Sequence, residues 1–433
     1  MKILIVSQYF WPETFCISEL AASLKERGHE VEVLTGVPNY PSGRRFEGYG
    51  RFGQKEQIYR NIKIHRVPLI TRGRGRTIRL VLNYLSFVVS ACLLGPWLCR
   101  DRYDVIFVYE PSPVTVCLPA LLLKWLRKIP VIFWVQDLWP ESISATGAIN
   151  SAFILNLVSR LVRFIYSRCD RILVQSEAFR APIERLGADP RKIEYYPNNA
   201  EALYVPTVLD AEAPERMEFP KGFCVMFAGN IGAAQDFETI LAAAELLKGH
   251  RGIHWVIVGD GRQFAWVKAE VQRRVLEETV HLLGRRQPSV MPRYFALADV
   301  MLVTLRKDPI FALTIPAKIQ AYLACGKPVL AGIDGEGARI VNAAQAGLTC
   351  PAEQPEVLAN CVLEFYRMDP AERQAMGING RAYCERHFNP HLLIERLEEI
   401  MGHVEPSKGA AQLHDRCASI DTSRRIADVG ETE

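Results

Sequence analysis

The stretch FCVMFAGNIGAAQDFETIL, Phe223 to Leu241, decides the reading of the chain. Phe223 to Ala228 is an apolar run with the length and composition of a buried strand. Gly229-Asn230-Ile231-Gly232 breaks the run, and Phe237, Ile240, Leu241 and Ala244 then recur at helical spacing. Strand, glycine turn and helix together aim backbone N–H groups at an anion. Glycine serves there because the backbone must come close to phosphate oxygens. Gly-x-x-Gly by itself is more often a plain turn. A second apolar run, Trp255 to Val258, ends in Gly259-Asp260-Gly261-Arg262. Two such turns in one α/β run predict a nucleotide cleft at the C-terminal ends of parallel strands.

A length of 433 residues favours two or three domains. The net charge of +4 says nothing about nucleic acid by itself, and no nucleic-acid partner is expected. Its distribution says more: residues 1–198 hold 27 Lys+Arg and 17 Asp+Glu, a balance of +10, and the remainder holds 25 and 31, a balance of −6. The first half is suited to an acidic partner or surface. The 11 cysteines include no C-x-x-C pair, which argues against zinc and a disulfide framework and for a reducing compartment. The opening MKILIVSQYF reads as a first strand rather than a signal peptide.

Working outward, Ile3–Val6, the loop Ser7–Ser18, a helix over Glu19–Arg27 and Val31–Leu34 make a β-loop-α-β opening. The first loop lacks Gly-x-Gly-x-x-Gly, which counts against a dinucleotide site. Residues 44–79 hold eleven Lys+Arg against two acids, with Arg72, Arg74, Arg76 and Arg79 close together. Leu80 to Cys99 then carries no charge and meets the length of a membrane span, roughly 20 residues. Gly95-Pro96 interrupts it and arginines flank it, so two readings stand. It is a buried core helix, or it lies in the membrane interface with its arginines meeting anionic lipid. Ser151–Arg168 is a second amphipathic helix that could join that face. Further strands fall at Val105–Tyr109, Val131–Val135 and Ile172–Val174. The second ends in Gln136-Asp137-Leu138-Trp139-Pro140-Glu141, where open α/β sheets bind ligands.

The linker lies between Tyr195 and Pro214, and strands near 223–228, 255–258, 280–283, 300–303 and 328–331 follow. Residues 371–400 are helical, and the chain from about Glu405 loses apolar periodicity and reads as a disordered tail. In TIPAKIQAYLACGKPV, Thr314–Val329, Pro316 opens a helix with Lys318 in its first turn. The helix dipole disfavours a cation there, and a bound diphosphate would reverse the sign of that cost. A solvated lysine is the alternative for Lys318 taken alone. No Asp-x-Asp stands at a strand end, so no metal is expected. Lysine and backbone N–H groups would neutralise a leaving diphosphate instead.

These motifs resemble family 4 of the retaining glycosyltransferases, with the GT-B fold of two Rossmann-like α/β domains facing each other across a cleft. LTGVPNYP, WVQDLWPES, FAGNIGAAQDFETIL, IFALTIPAKIQAYLACGKPVL and DGEGA resemble its bacterial O-antigen and capsule branch, described as L-fucosamine transferases. The resemblance runs to about residue 400. It implies an N-terminal acceptor- and membrane-facing domain over 1–200, a nucleotide-sugar domain over 201–380, a C-terminal helix over 381–404 and a tail over 405–433. It also implies a nucleoside-diphosphate sugar donor, a UDP-linked N-acetylated or deoxy sugar. The acceptor would be a polyprenyl-diphosphate-linked saccharide, and the location peripheral on the cytoplasmic face of the membrane.

The resemblance implies roles as well. Gly229, Asn230 and Gly232 would border the diphosphate, and Gly259, Asp260, Gly261, Arg262, Gly284 and Arg285 would line the nucleotide. Lys318, following Pro316, would hold the phosphates. Glu13 and the loop to Ser18 would face donor sugar and acceptor. Asp137 stands where relatives carry a His-Asp pair, the His being Gln136 here. Two departures matter: the Glu-x7-Glu pair of the family is Leu313 and Ala321 here, and Ala233, Ala234 and Gln235 replace the usual basic residues after the glycine turn. Gln320 and Glu336 are the candidates to replace the lost ribose contacts. A nucleotide-sugar 2-epimerase of the same fold and an inactive assembly partner in polysaccharide synthesis are the competing functions.

Overall fold

The structure, a computed structural model, describes residues 1–50, 56–73, 77–145 and 151–404. Arg74, Arg76 and the tail expected over 405–433 lie outside the described residues.

The chain divides into two compact units. One comprises Met1–Gln175, Arg180–Tyr196 and the chain from Ile394; the other comprises Ser176–Phe179 and Pro197–Leu393. The division falls at 196/197 rather than at 200/201. The last helix, Pro390–Gly402, returns to the first unit from Ile394 onward. Its anchor is Glu398, which accepts from Arg27 Nε at 2.8 Å and Arg27 Nη2 at 2.7 Å and lies 2.8 Å from His29 Nε2. The helical stretch expected over 371–400 is two helices, Pro370–His387 and Pro390–Gly402, and the C-terminal helix expected over 381–404 begins at Pro390. Pro390 explains the break, since it has no N–H to donate and pushes the preceding residue out of the helical region.

The first unit holds β1 (Lys2–Val6), β2 (Glu30–Gly36), β3 (Glu56–Tyr59), β4 (Ile62–Val67), β5 (Val105–Glu110), β6 (Val131–Val135), β7 (Arg171–Val174) and β8 (Ile193–Tyr195). Their order is β3-β4-β2-β1-β5-β6-β7-β8, parallel except for the β3/β4 pair. The central strands β1, β5 and β6 read as nearly continuous apolar runs, the pattern of a parallel sheet covered on both faces. The Cys16–Glu26 helix buries Ile17, Leu20, Ala21 and Leu24, one stripe at i, i+3, i+4 and i+7.

The second unit holds β9 (Phe223–Ala228), β10 (Ile253–Val258), β11 (Val280–Gly284), β12 (Val300–Thr304), β13 (Val329–Gly332) and β14 (Gly347–Cys350). The order is β11-β10-β9-β12-β13-β14, parallel throughout. On β9, Cys224, Met226 and Ala228 enter one core, and Phe223, Val225 and Phe227 enter the core on the other face. Strand order reverses between β9 and β12, the switch point beside which open α/β sheets bind ligands. Strand β14 escaped the sequence reading because GLTC is too short and too mixed to stand out.

The apolar segment after the basic stretch is one helix, Thr77–Leu98, and Gly95-Pro96 does not interrupt it. Proline so near a C-terminus removes little, and Arg127 serves carbonyls at the helix end, with Nη2 2.7 Å from Pro96 O and Nη1 bonded to Cys99 O. Only 28% of its most apolar window is buried. This rules out the plain core helix. Ile78, Leu82, Leu85, Val89, Leu93 and Trp97 are exposed and fall on one stripe. The neighbouring helices Cys117–Arg127 and Ala152–Arg168 expose Trp125, Leu126, Phe153, Leu157 and Phe164.

Candidate functional site

The C-terminal ends of β9, β10 and β11 open onto a cavity of about 590 Å³. Its floor is a lacing of two glycine turns. Gly229 N donates to Val258 O at 2.9 Å, Ile231 N to Asp260 O at 2.9 Å, and Gly259 N to Gly284 O at 2.9 Å. The turns can come this close only without side chains. A Cβ on Gly259 would stand 1.8 Å from Gly229 O, and one on Gly261 would stand 2.3 Å from Ile231 O. Gly259 also has φ +152°, a conformation L side chains rarely adopt.

The Ala317–Ala324 helix supplies an adjoining wall. Pro316 is its N-cap, so Ala317 is the first helical residue and Lys318 lies in the first turn. Ala317, Lys318, Ala321 and Tyr322 face the cavity, the i, i+1, i+4 and i+5 positions of one helical face. Tyr322 pins the end of β9: its Oη accepts from Ala228 N and donates to Ala228 O, each at 3.2 Å. Lys318 Nζ stands 3.7 Å from the centroid of the Phe227 ring. No carboxylate is paired with it among the described residues. Desolvation pushes its pKa down to about 7 from 10.5. A phosphate group in the cavity would supply the missing countercharge and draw the proton back.

Gly229, Asn230, Gly259, Asp260, Gly261, Arg285 and Lys318 thus line one cavity. Gly232 and Arg262 in the glycine turns, Gly284 at the end of β11 and the N-cap Pro316 do not line it. Gly232 N is turned to Gln235 Oε1 at 3.2 Å. The two ribose candidates are corrected. Gln320 is one residue out of phase with the cavity-facing side of its helix, buried, and donates from Nε2 to Asn198 O at 2.6 Å. Glu336 is buried and closed on Arg339, its carboxylate accepting from Nε at 2.9 Å and Nη2 at 2.6 Å. Neither lines the cavity.

Sequence reasoning missed Glu201, Tyr204, Arg286, Met291 and Phe295, which complete the wall. Tyr204 stacks on Phe295 with ring centroids 5.7 Å apart. Arg286 is held by Glu218 at 2.5 Å and Tyr294 Oη at 2.8 Å, while Arg285 beside it has no such partner among the described residues. Burial raises the pKa of the Glu201 carboxyl.

In the first unit, Glu13 is buried rather than turned to a substrate. Its Oε1 accepts from Asn39 N at 2.8 Å and Tyr40 N at 2.7 Å, and Oε2 accepts from Phe10 N at 3.3 Å. Burial raises its pKa against these three donors. Ser18 Oγ accepts from Trp11 N at 3.0 Å. Both residues hold the loop after β1 in shape, and the expectation that they face substrate is corrected accordingly. Asp137 stays at the C-terminal end of β6, half-buried and accepting from Ser142 Oγ. Burial raises its pKa too. Beneath it lies Glu110, fully enclosed, with its pKa driven well up by burial and by the Asp137 charge. Asp137 N donates to Glu110 Oε2 at 3.3 Å. Gln136 Nε2 and Glu110 Oε1 are buried without a hydrogen-bond partner among the described residues.

Comparison with known proteins decides what such a pair of units is. Residues 14–199 match the glycosyl transferase 4-like domain, and residues 222–368 match the glycosyl transferases group 1 domain. The chain is a GT-B glycosyltransferase. Among curated relatives it is similar to WbjE of Pseudomonas aeruginosa, named for glycosyltransferase activity, with 26% identity over 332 residues, 75% of this chain and 81% of that one. It is also similar to WcaI of Escherichia coli K12, named for colanic acid biosynthesis, with 24% identity over 338 residues, 75% and 82% of the two chains. Among solved structures, HepE of Anabaena in complex with UDP superposes with a TM-score of 0.66 at 15% identity, covering 93% of the glycosyltransferase and 100% of HepE. That likeness carries the fold.

Proposed function

We propose that the glycosyltransferase moves a sugar, with retention of configuration, from a nucleoside-diphosphate sugar to a lipid-linked saccharide in cell-surface polysaccharide synthesis. The observation that carries the donor reading is Lys318, a cation in the first turn of a helix with no carboxylate partner among the described residues, packed beside Gly229 of the glycine-turn floor. The UDP complexes of HepE and the polysaccharide names of WcaI and of the teichuronic acid protein TuaH of Bacillus subtilis support a UDP-linked donor and a surface-polymer product. The leaving diphosphate would be stabilised by Lys318, Arg285 and the turn N–H groups, and this electrostatic help carries the catalysis. Glu201 supplies the carboxylate that the helix lacks at Ala321, on the same cavity wall, and would accept from the ribose hydroxyls. L-Fucosamine is the proposed sugar for this branch. The exposed apolar stripe of the Thr77–Leu98 helix supports peripheral attachment at the cytoplasmic face of the membrane.

The test is a panel of sugar nucleotides assayed for transfer to a prenyl-diphosphate-linked saccharide. One donor should be consumed with product formed on the lipid. Lys318→Ala should lower that turnover by about 10²-fold, the scale of one preorganised charge stabiliser. Epimerisation of a free sugar nucleotide without transfer, or no turnover of any donor, would overturn the reading.

A further inference from the structure

The first unit holds a second cavity, of about 690 Å³, lined by Arg44, Arg45, Arg79, Ser42, Thr71 and the backbone of Gly43 and Gly73. Its shape comes from the loop after β2 meeting the entry to the Thr77–Leu98 helix. Gly73 N donates to Gly43 O at 3.0 Å, and the Arg79 side chain lies across Gly73, so close that a Cβ there would be 2.7 Å from Arg79 Nη1. Arg44, Arg45 and Arg79 have no carboxylate partner among the described residues. Three guanidinium groups around one hollow repel each other unless an anion joins them. Their planar donor forks match phosphate oxygens. Three positive charges also suit a group with two or more negative charges better than a phosphodiester with one.

The same helix provides the rest of a site. Arg79 stands between Ile78 and Leu82, and from there the exposed stripe runs through Leu85, Val89 and Leu93 to Trp97. The helix has 22 residues, so the stripe is about 30 Å long. An apolar face of that length left in water calls for hydrocarbon, and an arginine hollow at its head calls for phosphate.

We propose that this cavity and stripe form a binding site for a membrane lipid with a diphosphate head. The diphosphate is held by Arg44, Arg45 and Arg79, and the chain lies along Ile78, Leu82, Leu85 and Val89. The site is in the first unit and shares no residue with the nucleotide cavity. It deepens the proposed function by giving the lipid-linked acceptor a place. It rests on that reading only for the identity of the lipid, because binding is measured without turnover.

The experiment uses the full chain in mild detergent with geranylgeranyl diphosphate as the probe, alongside inorganic diphosphate and vesicles of phosphatidylglycerol in phosphatidylcholine. UDP is titrated in parallel as a check on the fold. The expected result is saturable binding of the prenyl diphosphate. It should weaken at least tenfold in the Arg44→Ser/Arg45→Ser/Arg79→Ser variant and several-fold in Leu82→Ser/Leu85→Ser, with UDP affinity unchanged in both. Inorganic diphosphate should bind at least tenfold more weakly than the lipid. Equal prenyl diphosphate binding by the arginine variant would overturn the proposal. So would equal affinity for inorganic diphosphate, which would leave a plain oxyanion site. Phosphatidylglycerol vesicles that displace the probe fully would also overturn it, leaving a general anionic surface. Lipid binding that stands while no sugar nucleotide is used would sink the proposed function and leave this site intact.

Discussion

Lys318 packs against the one side of Gly229 where any other residue would carry a side chain: a Cβ built on Gly229 would stand 2.6 Å from Lys318 Cε. The glycine has φ +135°, so its backbone geometry and the lysine both depend on the missing methyl group. Gly229→Ala should therefore act twice. It should lower stability by about 1–3 kcal/mol through backbone strain, and it should displace Lys318 and weaken UDP binding beyond what the stability loss explains. Thermal melting and a UDP titration check the two effects; unchanged UDP affinity in a folded variant would separate Gly229 from the phosphate site.

The depressed pKa of Lys318 sets a pH dependence with a definite sign. The fold favours the neutral amine, so without ligand the unfolded chain binds one proton more between about 7 and 10.5, and stability rises with pH across that window. A diphosphate reverses this by favouring the ammonium. Binding then takes up a proton, and UDP affinity should fall by up to about tenfold per pH unit above about 7. Lys318→Met should flatten both slopes. A UDP affinity that is level from pH 7 to 9 in the wild type would mean that Lys318 does not meet the phosphates.

In the proposed reading Glu201, for which the sequence suggested no role, takes the ribose contact expected of Glu336. Glu201→Gln should raise the donor KM several-fold, and a 2′-deoxyribose donor should lose that difference. Glu336→Gln breaks a pair that is closed on Arg339 outside the cavity and should leave the donor KM unchanged. Steady-state kinetics with both donors decides; a raised KM in Glu336→Gln alone would restore the earlier assignment.

Glu13 offers a test of structure against chemistry. Glu13→Ala orphans the Asn39 and Tyr40 N–H groups, at about 1–3 kcal/mol for each buried donor. The variant should melt lower, and what remains folded should bind UDP normally. Normal melting with lost turnover would return Glu13 to the substrate.

Metal dependence is a separate expectation. Among the described residues no three His, Cys, Asp or Glu side chains gather as a metal site. Transfer should survive excess EDTA, and complete loss restored by Mg²⁺ or Mn²⁺ would contradict the diphosphate site as described.

What the sequence could and could not disclose follows from how local each signal is. The glycine turns and the Pro316–Lys318 helix start were legible because backbone geometry demands those residues in place. Helix phase was also available, and it would have excluded Gln320, which sits about 200° round the helix from Lys318. Glu201 and Tyr204 were not legible, since they reach the cavity from an irregular segment through tertiary packing alone. Glu13 misled because its partners, Asn39 and Tyr40, lie 26 and 27 residues away. Composition described Leu80–Cys99 as apolar but could not say whether protein covers it. Only the packing of its neighbours leaves the Ile78–Trp97 stripe exposed.

The central claim is that the cavity of the second unit binds a nucleoside diphosphate through Lys318, and calorimetric titration of UDP at pH 6.5 tests it most directly. Wild type should bind stoichiometrically, and Lys318→Ala should bind at least tenfold more weakly while melting at or above the wild-type temperature, because the mutation removes a desolvated cation. Equal UDP affinity in wild type and Lys318→Ala would contradict the account.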